Sequence, residues 1–259
     1  MVKLIVFGAG GRMGARILDL ATRNGSFEVL GAVEARNHPA AGKKIMDGKV
    51  AVTSNLSSLK GPERVAIDFT TPEATLAHLE LLSEWNGSSA VIGTTGFNQK
   101  QKSMIRSFAE SMPIVLSPNM SRGVNLMFKL AREAARKLSD YDIEIVEAHH
   151  NLKKDSPSGT ALALAGEIAE ELRRNPASDF VYGRQGAGLR AKKEIGIHAV
   201  RAGDIVGEHT VYFAAGGERL EIKHVASSRD AFASGALHAA KWVSDKGPGL
   251  YSMKDVLGE

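Results

Sequence analysis

The run Gly8-Ala9-Gly10-Gly11-Arg12-Met13-Gly14 follows an apolar segment, Val2 to Phe7, and leads into Met13, Ile17 and Ala21 spaced along one helical face. Strand, glycine turn and helix in that order leave few folds open. A nearly continuous apolar strand is the mark of a parallel strand covered on both faces. The glycines let the chain turn tightly and let a pyrophosphate approach the backbone, while the helix start offers it unpaired amides. The spacing is not G-x-G-x-x-G, because Met13 takes the place of the last glycine; glycines at 8, 11 and 14 describe the turn better. Glu34 follows a second apolar run, Phe27 to Val33, where a carboxylate can accept hydrogen bonds from an adenosine ribose. Glu34 disfavours a 2′-phosphate, and Arg12 and Arg36 can offset this by pairing with one. Both NADH and NADPH stay open.

Further short apolar runs alternate with helical segments. Val65 to Phe69 reads as a strand. Thr71-Pro72-Glu73 then supplies a helix cap, a first-turn proline and an acid at the positive dipole end. Ala90 to Ile92 ends at Gly93-Thr94-Thr95-Gly96, whose backbone can contact the nicotinamide half of a dinucleotide. Pro113 to Leu116 is one more strand, and Ser117-Pro118-Asn119-Met120-Ser121 after it suits a hinge whose polar groups face the cofactor. This alternation indicates an α/β, Rossmann-like, doubly wound parallel sheet over residues 1–120. The pattern then changes. Leu126, Leu130, Ala134 and Leu138 mark a helix face, Asp142 to His149 a strand, and Thr160, Leu164, Ile168 and Leu172 a helix opened by Ser158. Asn175 to Arg190 reads as a mobile loop. Glu194 to Ala202 and Ile205 to Phe213 flank Gly203-Asp204 as a hairpin, and Gly216-Gly217 leads into Arg219 to Val225. Residues 121–228 therefore form a second α+β domain with a mixed, largely antiparallel sheet. A helix from Asp230 to Val243, within 229–259, returns to the first domain.

Composition narrows the chemistry. The 259 residues, 43% of them hydrophobic, can bury a full core. With no cysteine there are no disulfides and no thiolate metal sites, which fits a reducing cytoplasm. No apolar run reaches membrane-spanning length, and no interleaving of aromatic and basic residues points to nucleic acid. The net charge of +4 is scattered rather than blocked, which reads first as a solvated surface and second as attraction for anionic ligands such as a phosphorylated cofactor or a dicarboxylate.

The stretch from Glu147 to Ala161 gathers His149, His150, Lys153, Lys154 and the helix start Ser158-Gly159-Thr160. Imidazole can donate a proton near neutral pH. An ammonium attracts a carboxylate or stabilises developing negative charge, and the amides of a helix start suit a carboxylate. Adjacent residues on a strand point to opposite faces, so one histidine can serve the reaction while the other holds substrate or packs. Spacing does not choose between Lys153 and Lys154. A metal site through His149, His150 and Asp155 is disfavoured by that divergence, and no metal is expected. Arg229 lies at the return crossing, in a surface, hinge or substrate role.

Together these motifs resemble the 4-hydroxy-tetrahydrodipicolinate reductase (dihydrodipicolinate reductase) family. The likeness runs through Gly8 to Gly14, Asp68-Phe69-Thr70, Gly93 to Gly96, Asn119-Met120-Ser121, the 147–161 block, residues 201–210 and Ala226 to Arg229. It implies NAD(P)H-dependent reduction of a cyclic imine dicarboxylate, with loss of water, in lysine and diaminopimelate synthesis, by a homotetramer. It implies His149 as proton donor and Lys153 as second donor or polarising cation. His150, Gly159 and Thr160 become substrate contacts. Gly8, Ala9, Gly10, Gly11, Arg12, Met13, Glu34, Gly93, Thr94, Thr95, Ser117, Pro118, Asn119 and Met120 become cofactor contacts. Members of the family often carry arginine after the acidic ribose ligand, where this chain has Ala35. The rival readings are another imine or amino-acid dehydrogenase, which the His-His-x-x-Lys block with Ser-Gly-Thr disfavours, and a nucleotide-sensing protein without turnover, which would need the cofactor loop but not the 147–161 block.

Overall fold

In the computed structural model, which describes residues 1–45 and 47–258, the first apolar run is β1 (Val2–Phe7) and the glycine turn delivers it to α1 (Arg12–Thr22). Next come β2 (Phe27–Val33), β3 (Lys44–Ile45), β4 (Val50–Thr53), β5 (Arg64–Asp68), α2 (Pro72–Ser83), β6 (Ser89–Ile92), α3 (Gln99–Ala109) and β7 (Pro113–Leu116). Thr71 caps α2 by accepting from the Ala74 amide, with Pro72 in the first turn. Asn98 and Gln101 form a capping box at α3, a helix that its mostly polar sequence conceals.

These elements and the chain from Arg229 onward form one compact unit with Met1–Arg122; Gly123–Ser228 form the other. The return segment contributes α7 (Asp230–Val243), β13 (Gly249–Tyr251) and α8 (Met253–Val256). The sheet runs β13-β7-β6-β5-β1-β2-β4-β3, parallel except where β3 meets β4. Leu4 and Val6 pack on one face with Ile17 and Leu18 of α1 and Ala236 and Ala240 of α7. Ile5 and Phe7 pack on the other with Leu79 and Leu82 of α2 and Ile105 of α3. The period-two alternation of β1 thus feeds two cores, and that is why its sequence is apolar throughout. The order reverses between β5 and β1, and ligands of such sheets bind at the carboxyl ends of the strands beside that switch.

The second unit contains α4 (Arg122–Lys137), β8 (Asp142–His149), α5 (Gly159–Glu171), α6 (Pro176–Asp179), β9 (Phe180–Tyr182), β10 (Ile195–Arg201), β11 (Gly207–Ala215) and β12 (Glu218–Ala226). Its sheet is mixed, in the order β12-β11-β8-β10-β9. Ile143, Ile145, Ile195, Ile197, Val211 and Phe213 pack against Met127, Phe128 and Ala131 of α4 and Leu164 and Ile168 of α5.

Three sequence expectations are corrected here. First, β10 and β11 do not pair as a hairpin. They flank β8, β10 parallel and β11 antiparallel. Gly203 does turn the chain, at φ 49°, but its carbonyl accepts from the Asn151 amide and Ala202 donates to the His149 carbonyl, so the turn folds over the end of β8. Burial of Ile143 and Ile145 between two apolar neighbours outweighs the local turn. Second, α4 buries Val124, Met127, Phe128, Ala131 and Ala135, while Leu126 and Leu130 stay 49% and 47% exposed. Phe128 buries more apolar surface than either leucine, and its stripe sets the helix rotation. Third, part of the 175–190 stretch is regular structure. Asn175 caps α6, and β9 adds a parallel edge to β10. Beyond it, Arg184 and Arg190 tie the polar chain to Glu144 at 2.8 and 3.0 Å.

Candidate active site

The glycine turn is locked from inside. Gly8 sits at φ 75°, and a Cβ there would lie 2.9 Å from the Phe69 carbonyl oxygen. A Cβ on Gly14 would lie 2.1 Å from the Gly8 oxygen, so close helix–strand approach, more than turn conformation, requires that glycine. The amides of Gly8 and Ala9 donate to the Val33 carbonyl at 3.0 and 3.1 Å, and Gly11 donates to Gly8 at 3.0 Å. Gly10 donates to Glu34 Oε1 at 2.9 Å, and Ala35 to Oε2 at 3.1 Å. The amides of residues 8–11 therefore shape the loop. Arg12 and Met13 open α1 behind Gly11, which supplies no side-chain cap, so first-turn amides are left to an anion. The buried Ala9 side chain belongs to the core.

Two cavities border this turn. One of about 620 Å³ is lined by Gly8, Gly11, Glu34, Ala35, Arg36, Phe69, Thr70 and His78, among others. The other, about 260 Å³, is lined by Gly11, Arg12, Met13, Phe69, Thr70, Gly93, Thr94 and Thr95. The structure thus gathers Glu34 and the Gly93–Thr95 loop around the glycine turn. Ser117, Pro118, Asn119 and Met120 follow β7 at the same strand edge but line neither cavity. Ser117 Oγ donates to the Asn119 carbonyl at 2.9 Å, and Met120 is buried in the core.

In the second unit β8 ends at His149, and Glu147 two residues earlier shares its face. Glu147 is fully buried. Arg201 grips it with both terminal nitrogens at 2.8 Å, His149 Nδ1 lies 2.6 Å from Oε2, and the Ser158 amide donates to Oε1 at 2.9 Å. Burial pushes the Glu147 carboxyl up, but the hydrogen bonds from Arg201, His149 and Ser158 outweigh it and hold the group below the ordinary carboxylate range. Burial lowers His149 below the usual imidazole value, with Glu147 opposing and the charges of Lys153 and Arg201 assisting. His209 packs edge-on against His149 with ring centres 5.2 Å apart, and its Nε2 lies 3.2 Å from Ser158 Oγ. Burial, then the charge of His149, brings His209 down to about 4.

Lys153 is partly buried and pairs with Asp155 at 2.9 Å, whereas Lys154 is exposed. The geometry therefore separates the two lysines that spacing left equal. His150 lies just past the strand end, and its buried Nδ1 has no hydrogen-bond partner. Gly159 is exposed at the first position of α5, with Thr160 next and Ser158 capping the Ala161 amide at 3.2 Å. Among the described residues no group of three His, Asp or Glu side chains is arranged to hold a metal ion, and no helix is long and apolar enough to cross a membrane.

Residues 2–120 match the family model described as dihydrodipicolinate reductase, N-terminus, and residues 123–257 match dihydrodipicolinate reductase, C-terminus. The chain belongs to the dihydrodipicolinate reductase family. Relatives include the 4-hydroxy-tetrahydrodipicolinate reductase of Syntrophus aciditrophicus, 53% identical over 100% of this chain and 99% of that one. That of Aquifex aeolicus is 47% identical over 99% of each. The structure of a dipicolinate-bound dihydrodipicolinate reductase from Paenisporosarcina sp. TG-14 superposes with a TM-score of 0.79, at 27% identity over 97% of both chains. Membership in this reductase family makes the chain an NAD(P)H-dependent oxidoreductase of lysine and diaminopimelate biosynthesis.

Glu147, Arg201 and His209 had no role from sequence reasoning. The first stands within the 147–161 block and the others within 201–210. What joins them is register: Arg201 pairs with His149 across β10 and β8, and His209 with Glu147 across β11 and β8. A correct placement of β8 between the two strands would have revealed the cluster.

Proposed function

We propose that the chain reduces 4-hydroxy-tetrahydrodipicolinate to tetrahydrodipicolinate with loss of water, using NADH or NADPH, in the cytoplasm and as a homotetramer. The observation that carries this reading is the buried Glu147, which orients His149 near Lys153 and the start of α5 in a chain that matches the reductase family from end to end.

The first unit fits a dinucleotide. Gly8 and Gly14 leave no room for a Cβ, first-turn amides of Arg12 and Met13 suit the pyrophosphate, and Glu34 borders the larger cavity beside Arg36. Gly10, Gly93, Thr94, Thr95, Ser117, Pro118, Asn119 and Met120 complete the proposed cofactor contacts. The reduced nicotinamide, when bound, supplies the hydride. The chain must supply the proton, bind two carboxylates and hold the ring still.

His149 donates through Nδ1 to Glu147, which leaves Nε2 to face substrate. Glu147 stabilises the imidazolium, while burial makes it a stronger acid than free imidazole. Lys153 adds positive charge against the developing negative charge. His150, Gly159 and Thr160 hold a carboxylate, assisted by the positive end of α5. The dipicolinate held by the Paenisporosarcina relative supports a planar dicarboxylate as the ligand class.

Self-association is supported by the second sheet. Its helix-covered face is apolar, and the alternate residues on the other face include Val200 and Val225, 44% and 49% exposed, with Val146 and Tyr212. Light scattering on the purified protein measures the oligomer. The activity test is consumption of NADH and NADPH on addition of freshly generated substrate. Turnover with either supports the reading; tight cofactor binding without turnover contradicts it.

A further inference from the structure

We infer that Asp68 is a positioning residue for the cofactor, a buried carboxylate that sets the two loops bordering the two cavities beside the glycine turn. This rests on the reading of that unit as a dinucleotide-binding one.

Asp68 ends β5, beside the strand switch, and is 3% exposed. Its Oδ1 accepts from the Thr70 amide at 3.0 Å, from Thr70 Oγ1 at 2.6 Å and from Thr94 Oγ1 at 3.3 Å. Its Oδ2 lies 2.7 Å from His78 Nδ1, and its backbone carbonyl accepts from the Gly93 amide at 2.9 Å. Thr94 Oγ1 also accepts from the Thr70 amide at 3.0 Å and from Thr75 Oγ1 at 2.9 Å. One carboxylate therefore joins the loop after β5, the loop after β6 and α2.

These groups converge on the cofactor side of the sheet. Thr70 lines both cavities, His78 the larger and Thr94 the smaller. The Phe69 backbone lies against Gly8, and its ring against Gly93, where an added Cβ would come within 2.2 Å. Movement of the 69–70 segment thus moves the walls of the glycine turn as well. A side chain that only filled space here would be cheaper as an apolar one, because burying a carboxylate is costly unless every lone pair is met. What the carboxylate adds is direction. It also fixes the imidazole: with Nδ1–H given to Asp68 Oδ2, the His78 ring is held in the wall of the larger cavity.

The test measures NADH and NADPH affinity by titration without substrate, with kinetics and thermal unfolding alongside. Asp68→Ala is expected to weaken cofactor binding at least tenfold and to raise the cofactor KM in step, with kcat at saturating cofactor within about threefold of wild type. Asp68→Asn is expected to recover most of that affinity, because the amide oxygen still accepts from Thr70 and His78 can take its other tautomer. Thr75→Val, nearly the same shape at a fully buried position that lines neither cavity, removes the hydroxyl that donates to Thr94 Oγ1 and keeps the test intact if Asp68→Ala does not fold; it is expected to weaken cofactor several-fold. Variants that bind cofactor within twofold of wild type, while melting earlier, would show a structural carboxylate and overturn the inference. If wild type itself binds neither nicotinamide, the dinucleotide reading fails instead.

Discussion

Arg201 holds the carboxylate of Glu147 through both terminal nitrogens, each at 2.8 Å, across the pairing of β10 with β8. The same carboxylate carries His149 and the first amide of the α5 cap. One ion pair therefore couples the sheet, the proposed proton donor and the helix start. Replacing Arg201 by Met leaves a fully buried carboxylate without its main partner, which costs about 3 kcal/mol. Urea unfolding should show a loss of that order, and Arg201→Lys should recover only part of it, because an ammonium cannot reproduce the fork.

Glu147→Gln removes the negative charge that raises His149 against burial. The His149 pKa, already below its ordinary value, should fall further. A donor works in its protonated form, so the limb on which the rate falls with rising pH should move to lower pH. The rate near neutrality should drop about tenfold or more. A pH–rate profile of kcat measures the shift; an unchanged limb would separate Glu147 from the acid.

His209 is buried and brought down to about 4, while an unfolded chain would titrate it near 6.5. Between those values the unfolded state binds the extra proton, so stability falls as pH falls. The loss from this group between pH 7 and pH 5 is about 2 kcal/mol. His209→Gln should remove that part of the pH dependence, which unfolding of both proteins at the two pH values measures directly.

Gly14→Ala places a methyl group 2.1 Å from the Gly8 oxygen, in contact with backbone that cannot swing away. The turn must open, so cofactor affinity should fall more than tenfold, with a stability loss of about 2 kcal/mol from overpacking. Titration with NADH and a thermal melt check both.

The first unit was legible because its signals are local. The apolar β1, the glycines at 8, 11 and 14 and the Thr71-Pro72 helix start each report on their own neighbourhood. The second unit was less legible because its decisive pairing is not local. Gly203-Asp204 promised a hairpin, but β8 inserts between β10 and β11, and burial of Ile143 and Ile145 decides that contest. Misplacing β8 hid Arg201 and His209, whose roles exist only through register. His149 and Lys153 stood out as chemistry-bearing types in one block, whereas Glu147 looked like an ordinary strand residue until its burial and partners were seen. Leu126 and Leu130 misled because helical spacing alone does not say which apolar stripe is heavier.

The most direct measurement is the initial rate of NADPH or NADH consumption with freshly generated 4-hydroxy-tetrahydrodipicolinate, for wild type, His149→Gln and Lys153→Ala, with cofactor affinity titrated in parallel. The account predicts turnover by wild type and losses of about a hundredfold or more in each variant, with cofactor affinity within twofold of wild type. Full activity in the variants, or loss of cofactor binding equal to the loss of turnover, would contradict it.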